Sequence, residues 1–174
     1  IMLDKKVAEL INEQINKELY SAYLYWDFAN FYAAEGLDGF RNWYEVQAKE
    51  ERDHAIMMRA YLIDSGVRVT FGKIDKPDVK LKEFMDPLKA GLEHERYVTS
   101  LITAIYEAAS EAKDYKTMQF LDWFVKEQGE EEKNAEDLVK KMKLFGGDAK
   151  GLYMLDQELA ARTYVPSTNL PANA

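Results

Sequence analysis

The sequence predicts an all-α protein, a four-helix bundle with one long crossover between helices two and three and a short fifth C-terminal helix. Three observations carry that expectation. Proline and glycine are sparse, 4 and 9 among 174 residues, and they separate long uninterrupted stretches. Within those stretches apolar residues recur at alternating steps of three and four, the period of a helix with one buried face. Between two closely linked helix pairs lies a segment too long for a turn.

The first helix is expected over residues 4–33, with Ile11, Ile15, Glu18, Ala22, Tyr25 and Ala29 along its seam. A short link around Glu35, Gly36 and Asp38 leads to a second helix over 39–65, with the seam Phe40, Tyr44, Gln47, Glu51, His54, Met58, Tyr61. So short a link makes the pair an antiparallel hairpin. The third helix, 83–111, carries Leu88, Leu92, Glu95, Val98, Ile102 and Ile105; a link at Lys113 and Asp114 leads to the fourth, 115–144, with Leu121, Phe124, Gln128, Glu131, Ala135, Leu138 and Met142. Residues 66–82 join the hairpins and reach up to roughly 55 Å when extended, against roughly 40 Å for a 27-residue helix. The segment therefore spans the bundle and sets the second and third helices parallel. A fifth helix is expected near 149–162, completing a domain over 1–164, and residues 165–174, with Pro166 and Pro171, are expected to form a flexible tail.

Composition narrows the chemistry. With 47% hydrophobic residues and 13% aromatics the chain can fill one core. The absence of cysteine excludes disulfides, thiolate metal centres and thiol catalysis, leaving carboxylate, imidazole, amide and phenol as ligands. A net charge of −8 argues against nucleic acid and suits cation binding. No stretch has the apolar length of a membrane span, and a cytoplasmic protein is the expected default.

The informative residues are the polar ones on the seams. Glu18, Glu51, His54, Glu95, Gln128 and Glu131 occupy positions that should be buried. Counted from residue 36, Glu18 and His54 are each 18 positions away and Glu51 is 15; counted from residue 112, Glu95 is 17 away and Gln128 and Glu131 are 16 and 19. At about 1.5 Å per residue, all six reach one level near mid-helix. Four buried carboxylates repel one another, and no seam supplies a lysine or arginine at that height, so a bound cation is the expected partner. Glu51-x-x-His54 places a carboxylate and an imidazole on one helix face. Hard oxygen ligands with a single imidazole suit iron or manganese better than structural zinc.

The segments Asn16-Lys17-Glu18-Leu19-Tyr20, Glu50-Glu51-Arg52-Asp53-His54, Glu93-His94-Glu95 and Glu127-Gln128-Gly129-Glu130-Glu131 resemble the prokaryotic non-haem ferritins, and the likeness runs through Gly151 to Leu159. The resemblance implies a ferritin-like bundle acting as a ferroxidase that oxidises Fe(II) with dioxygen. It assigns Glu18, Glu51 and His54 to a first iron, with Glu51 bridging to a second iron at Glu95 and Glu131. Gln128 then lies beside the oxygen-binding edge, and Tyr25 orients a carboxylate. A third iron site maps onto Glu50, Glu127 and Glu130, with Glu131 shared. The resemblance also implies storage of ferric mineral inside a homo-oligomeric shell of 24 subunits. Arg52 stands where haem-binding relatives carry a methionine, so no haem is expected, and Gln128-x-x-Glu131 replaces a second Glu-x-x-His. The second iron is therefore expected to be held less tightly than the first.

Other residues have plainer readings. Trp26 and Trp123 are expected to be packing residues, the Met57-Met58 pair to pack in the core, and His94, about 100° round the helix from Glu95, to be exposed or interfacial rather than a ligand. The competing functions are a di-iron oxidoreductase or peroxidase without mineral storage, and a non-catalytic helical interaction module.

Overall fold

The computed structural model describes residues 3–174. Its helices are α1 (Lys5–Ala34), α2 (Asp38–Asp64), α3 (Asp86–Glu111), α4 (Tyr115–Phe145) and α5 (Ala149–Ala160). Among the described residues there is no strand, and no helix is long and apolar enough to cross a membrane.

The helix ends follow local chemistry. Asp4, Asp114 and Asp148 each accept a backbone N–H from the first turn of α1, α4 and α5, the usual use of a carboxylate at a helix N-terminus. Gly36 and Gly66 take positive φ at 80° and 77° just past the ends of α1 and α2, where a side chain would be strained. The third helix starts three residues later than expected. Asp86 accepts from the backbone of Lys82 and Glu83 at 2.8 and 2.7 Å, folding that stretch into a turn, and Pro87 is suited to the first helical turn.

The hairpins and the crossover form as anticipated. Ser21 meets His94 while the Tyr32 hydroxyl donates to the Phe84 carbonyl, so α1 and α3 run antiparallel. Tyr61 meets Thr117 and Gln47 meets Glu131, so α2 and α4 do too. The crossover runs along α1, where Asn12 bonds both the N–H and the carbonyl of Thr70. Val67 and Val69 pack at one end of the bundle, and Val79, Leu81 and Phe84 at the other.

The core is divided. One apolar lobe gathers Ile11, Ile15, Met57, Met58, Leu62, Ile102, Ile105, Leu121 and Phe124. The second gathers Tyr25, Phe28, Tyr32, Phe40, Tyr44, Leu88, Leu138, Met142, Leu155 and Leu159. Between them lie the buried polar residues at mid-helix.

The fifth helix closes the second lobe, and Asp156 on it accepts the Phe40 N–H at 3.0 Å, supplying the cap that Leu37 cannot give α2. The fit is tight at Gly39, where an added Cβ would stand 1.7 Å from the Asp156 carbonyl oxygen. Gly39→Ala is expected to push α5 away and cost about 1–3 kcal/mol, read as a lower thermal midpoint. An unchanged midpoint would show that α5 docks loosely.

The segment expected to be a flexible tail makes specific contacts with the bundle. Leu170 packs against the first lobe, and just before the tail the Tyr164 hydroxyl donates to the buried Asp53 carboxylate. Trp26 departs from its expected packing role. It is 58% exposed, because α1 turns it to the outer surface beside the less exposed Tyr23. Trp123 does pack, edge-on to His54 and Phe124 with ring centroids 5.5 and 4.9 Å apart. Met57 and Met58 are buried.

Candidate metal centre

The six seam residues Glu18, Glu51, His54, Glu95, Gln128 and Glu131 all lie in the polar layer, each no more than 6% exposed. Helical periodicity brings each inward, and the antiparallel hairpins bring them to one height. Their potential ligand atoms form two groups, Glu18 with Glu51 and His54, and Glu51 with Glu95 and Glu131, within which all atoms lie within 4.8 Å of one another. Glu51 belongs to both groups. Its carboxylate could therefore serve a cation held by either group.

Hydrogen bonds hold both oxygens of Glu95 and one oxygen each of Glu18, Glu51 and Glu131. Gln14 donates to Glu18 Oε1 at 3.2 Å, and Gln47 Nε2 donates to Glu51 Oε1 at 3.0 Å and to Glu131 Oε2 at 2.5 Å. The Tyr25 hydroxyl donates to Glu95 Oε1, and Gln128 Nε2 to Glu95 Oε2 at 3.1 Å. By contrast Glu18 Oε2, Glu51 Oε2 and His54 Nδ1 are buried without a hydrogen-bond partner. They converge, with Nδ1 3.2 Å from Glu51 Oε2 and 3.7 Å from Glu18 Oε2. Two buried carboxylate oxygens and an imidazole nitrogen turned on one another are chemically suited to ligate a cation. On the far side of the ring, Nε2 faces the Glu127 carboxylate at 3.9 Å.

Burial and mutual repulsion set the protonation of this layer. Glu51 is raised by burial, with Glu18 adding to the effect while His54 opposes it, and Glu131 is raised well above the carboxylate range by burial, then Glu95 and Glu51. Glu95 is pushed up to about 8, by burial and then Glu51. Burial alone would lower His54, but the Glu51 and Glu18 carboxylates outweigh it, so the imidazole keeps its proton well above its ordinary value. The metal-free centre thus holds protons where a metal-bound one holds positive charge.

The ferritin-like domain family matches residues 8–145 of this chain. The chain is a member of the ferritin family. It is 38% identical over 156 residues to the bacterial non-heme ferritin of Campylobacter jejuni, covering 90% of this chain and 93% of that one. It is likewise 38% identical over 163 residues to the bacterial non-heme ferritin of Staphylococcus epidermidis, covering 94% and 98%. The open pore ferritin of the hyperthermophilic archaeon Archaeoglobus fulgidus superposes with a TM-score of 0.90 at 40% identity, over 92% of this chain and 98% of that one. An engineered closed form of the same archaeal protein superposes at 0.91, also at 40% identity, over 94% and 99%.

In this ferritin the remaining candidate residues are arranged unequally. Tyr25 is buried and raised well above its usual pKa, by burial and then by Glu95, so its hydroxyl stays protonated and donates to that carboxylate. Glu50 is half-buried and paired with Arg162 at 2.5 Å, Glu127 is half-buried beside His54, and Glu130 is exposed. These three do not join either group of converging ligand atoms. His94 is not exposed: its Nε2 meets Ser21 Oγ at 2.7 Å among the rings of Tyr20, Tyr25 and Tyr97, outside both groups of converging ligand atoms. Since Ser21 donates to the Lys17 carbonyl, His94 donates to Ser21, and burial, then Lys17, lowers it to about 4. Gln14, Asn42 and Arg162 are the supporting residues that sequence reasoning missed. A glutamine one turn before a seam carboxylate was the only signal, and it applied to Gln14 alone.

Proposed function

We propose that this ferritin oxidises Fe(II) with dioxygen at the two ligand groups joined by Glu51, and stores the ferric product as mineral inside a multi-subunit shell of 24 copies. The observation that carries the reading is the convergence of buried, unpartnered Glu18 Oε2, Glu51 Oε2 and His54 Nδ1 beside a second carboxylate group that shares Glu51. Fe(II) is the substrate. Each ion gives up one electron, so two neighbouring ions deliver two electrons to one dioxygen.

The chain's own residues prepare that event. Glu95 and Glu131 release their protons as Fe(II) enters, and Tyr25 and Gln128 keep the two Glu95 oxygens oriented. The second position has only carboxylates, so iron there is held less tightly and passes onward. A third iron at Glu50, Glu127 and Glu130, with Glu131 shared, extends the same reading. Its support is that Glu127 and Glu130 flank Gln128 and Glu131 on α4; for it to form, Glu50 must leave Arg162.

Metal-free protein receiving several hundred equivalents of Fe(II) per chain in air tests this. Rapid oxidation with iron kept soluble in a large uniform particle is expected. Oxidation that stops at about two irons per chain points instead to a di-iron oxidoreductase, and no oxidation above the protein-free rate rejects both.

A further inference from the structure

Arg162 lies two residues past the end of α5, outside every motif of the centre. Its guanidinium stacks on Trp43, 4.0 Å from the ring centroid. It donates to the Trp43 carbonyl at 3.0 Å, to Gln47 Oε1 at 3.0 Å and to Glu50 Oε2 at 2.5 Å. Such a planar fork can serve several acceptors at once, which an ammonium cannot do in the same geometry.

Gln47 lies on the path from Arg162 to the metal ligands. Its amide nitrogen carries two hydrogens, one directed to Glu51 on α2 and the other to Glu131 on α4. Its amide oxygen points the other way, to Arg162. Reversing the carboxamide would set its oxygen against two carboxylates and its N–H groups against a guanidinium, so only one orientation satisfies all partners. With Oε1 of Glu51 and Oε2 of Glu131 held, Glu51 keeps Oε2 turned to Glu18 and His54.

We propose that Arg162 is a positioning residue for the metal centre: by holding Gln47 Oε1 it aims the Gln47 amide at Glu51 and Glu131. It sets the bridging carboxylate and its α4 neighbour before metal enters, and it makes the docked end of α5 part of the centre. This inference rests on the reading of the buried cluster as a metal centre. The rival account is that Arg162 only anchors the chain after α5, as Asn42 does through the carbonyls of Leu159 and Arg162, and Tyr164 through Asp53.

The test titrates assembled, metal-free protein anaerobically with Co(II), read by its visible absorption, with thermal midpoint and initial rate of Fe(II) oxidation alongside. Arg162→Met and Gln47→Leu are each expected to weaken Co(II) binding about 10- to 100-fold. The double variant should bind no more weakly than Gln47→Leu alone, because Arg162 acts through that side chain. Tyr164→Phe, which frees Asp53 but leaves the guanidinium, should bind Co(II) like the wild type. Arg162→Lys should stay weak. Unchanged affinity in Arg162→Met, additive losses in the double variant, an equal loss in Tyr164→Phe, or full rescue by lysine would each overturn the proposal. A wild-type protein that binds no Co(II) would overturn the metal-centre reading itself, and this inference with it.

Discussion

Glu51→Gln is expected to lower the initial rate of Fe(II) oxidation by at least ~100-fold while raising the thermal midpoint of the metal-free protein. Residues that merely orient metal ligands already cost 10–100-fold when removed, and Glu51 is the one residue common to both ligand groups. A carboxamide keeps the shape of the side chain and its contact with Gln47, but it cannot supply a charged oxygen to each of two cations. The stability change has the opposite sign because Glu51 raises both Glu95 and Glu131, so a neutral side chain there removes a repulsion that otherwise only bound protons or metal relieve. Stopped-flow ferric absorbance and thermal melts measure the two effects separately. A rate within a few-fold of wild type would remove Glu51 from its bridging role.

The second large effect is on pH. Glu51, Glu95 and Glu131 have folded-state values above those of unfolded carboxylates, Glu95 at about 8, and His54 is raised as well. For groups shifted upward the folded state binds more protons, so stability falls as pH rises between the unfolded and folded values. Metal-free protein is therefore expected to be most stable near pH 5 and to weaken as pH rises through 8. Metal binding has the reverse dependence, since it displaces those same protons and strengthens as pH rises through about 8. Divalent metal at a hundred times its dissociation constant adds about 2.7 kcal/mol, which for a chain of this size moves the midpoint by roughly 5–11 °C. Melts across pH 5–9, with and without Co(II), check both slopes. A metal-free protein whose stability climbs from pH 5 to 8 would contradict the protonation of this layer.

The four long helices and the level of their polar residues were legible because both follow from counting along single helices. Glu18, Glu51, His54, Glu95, Gln128 and Glu131 sit on their own helices' periods, and two short turns fix their heights. Errors gather where a residue's environment comes from another part of the chain. Tyr61 was expected on the seam, yet Leu62 is the buried residue, since an α-helix drifts from strict steps of three and four over several turns. His94 is shielded by Ser21 and three tyrosines that no pattern on α3 reveals. Arg162 is the extreme case: a lone basic residue near the end of the chain has no periodicity, and its partners Trp43, Gln47 and Glu50 lie more than a hundred positions earlier. The contacts of Tyr164 and Leu170 were hidden for the same reason, in a stretch whose composition is that of a loop.

The division of the core into two apolar lobes bears on how such a protein changes over generations. Each lobe is enclosed by its own set of large side chains, and the cohesion of the bundle resides there. The layer between them opposes folding wherever its carboxylates carry charge without a bound proton or cation. Substitutions in that layer therefore alter chemistry more readily than they endanger the scaffold, and several of them relax it. A lineage can exchange ligands there one at a time, passing through folded intermediates at each step, and the same bundle can be retuned to other metals or reactions without being rebuilt.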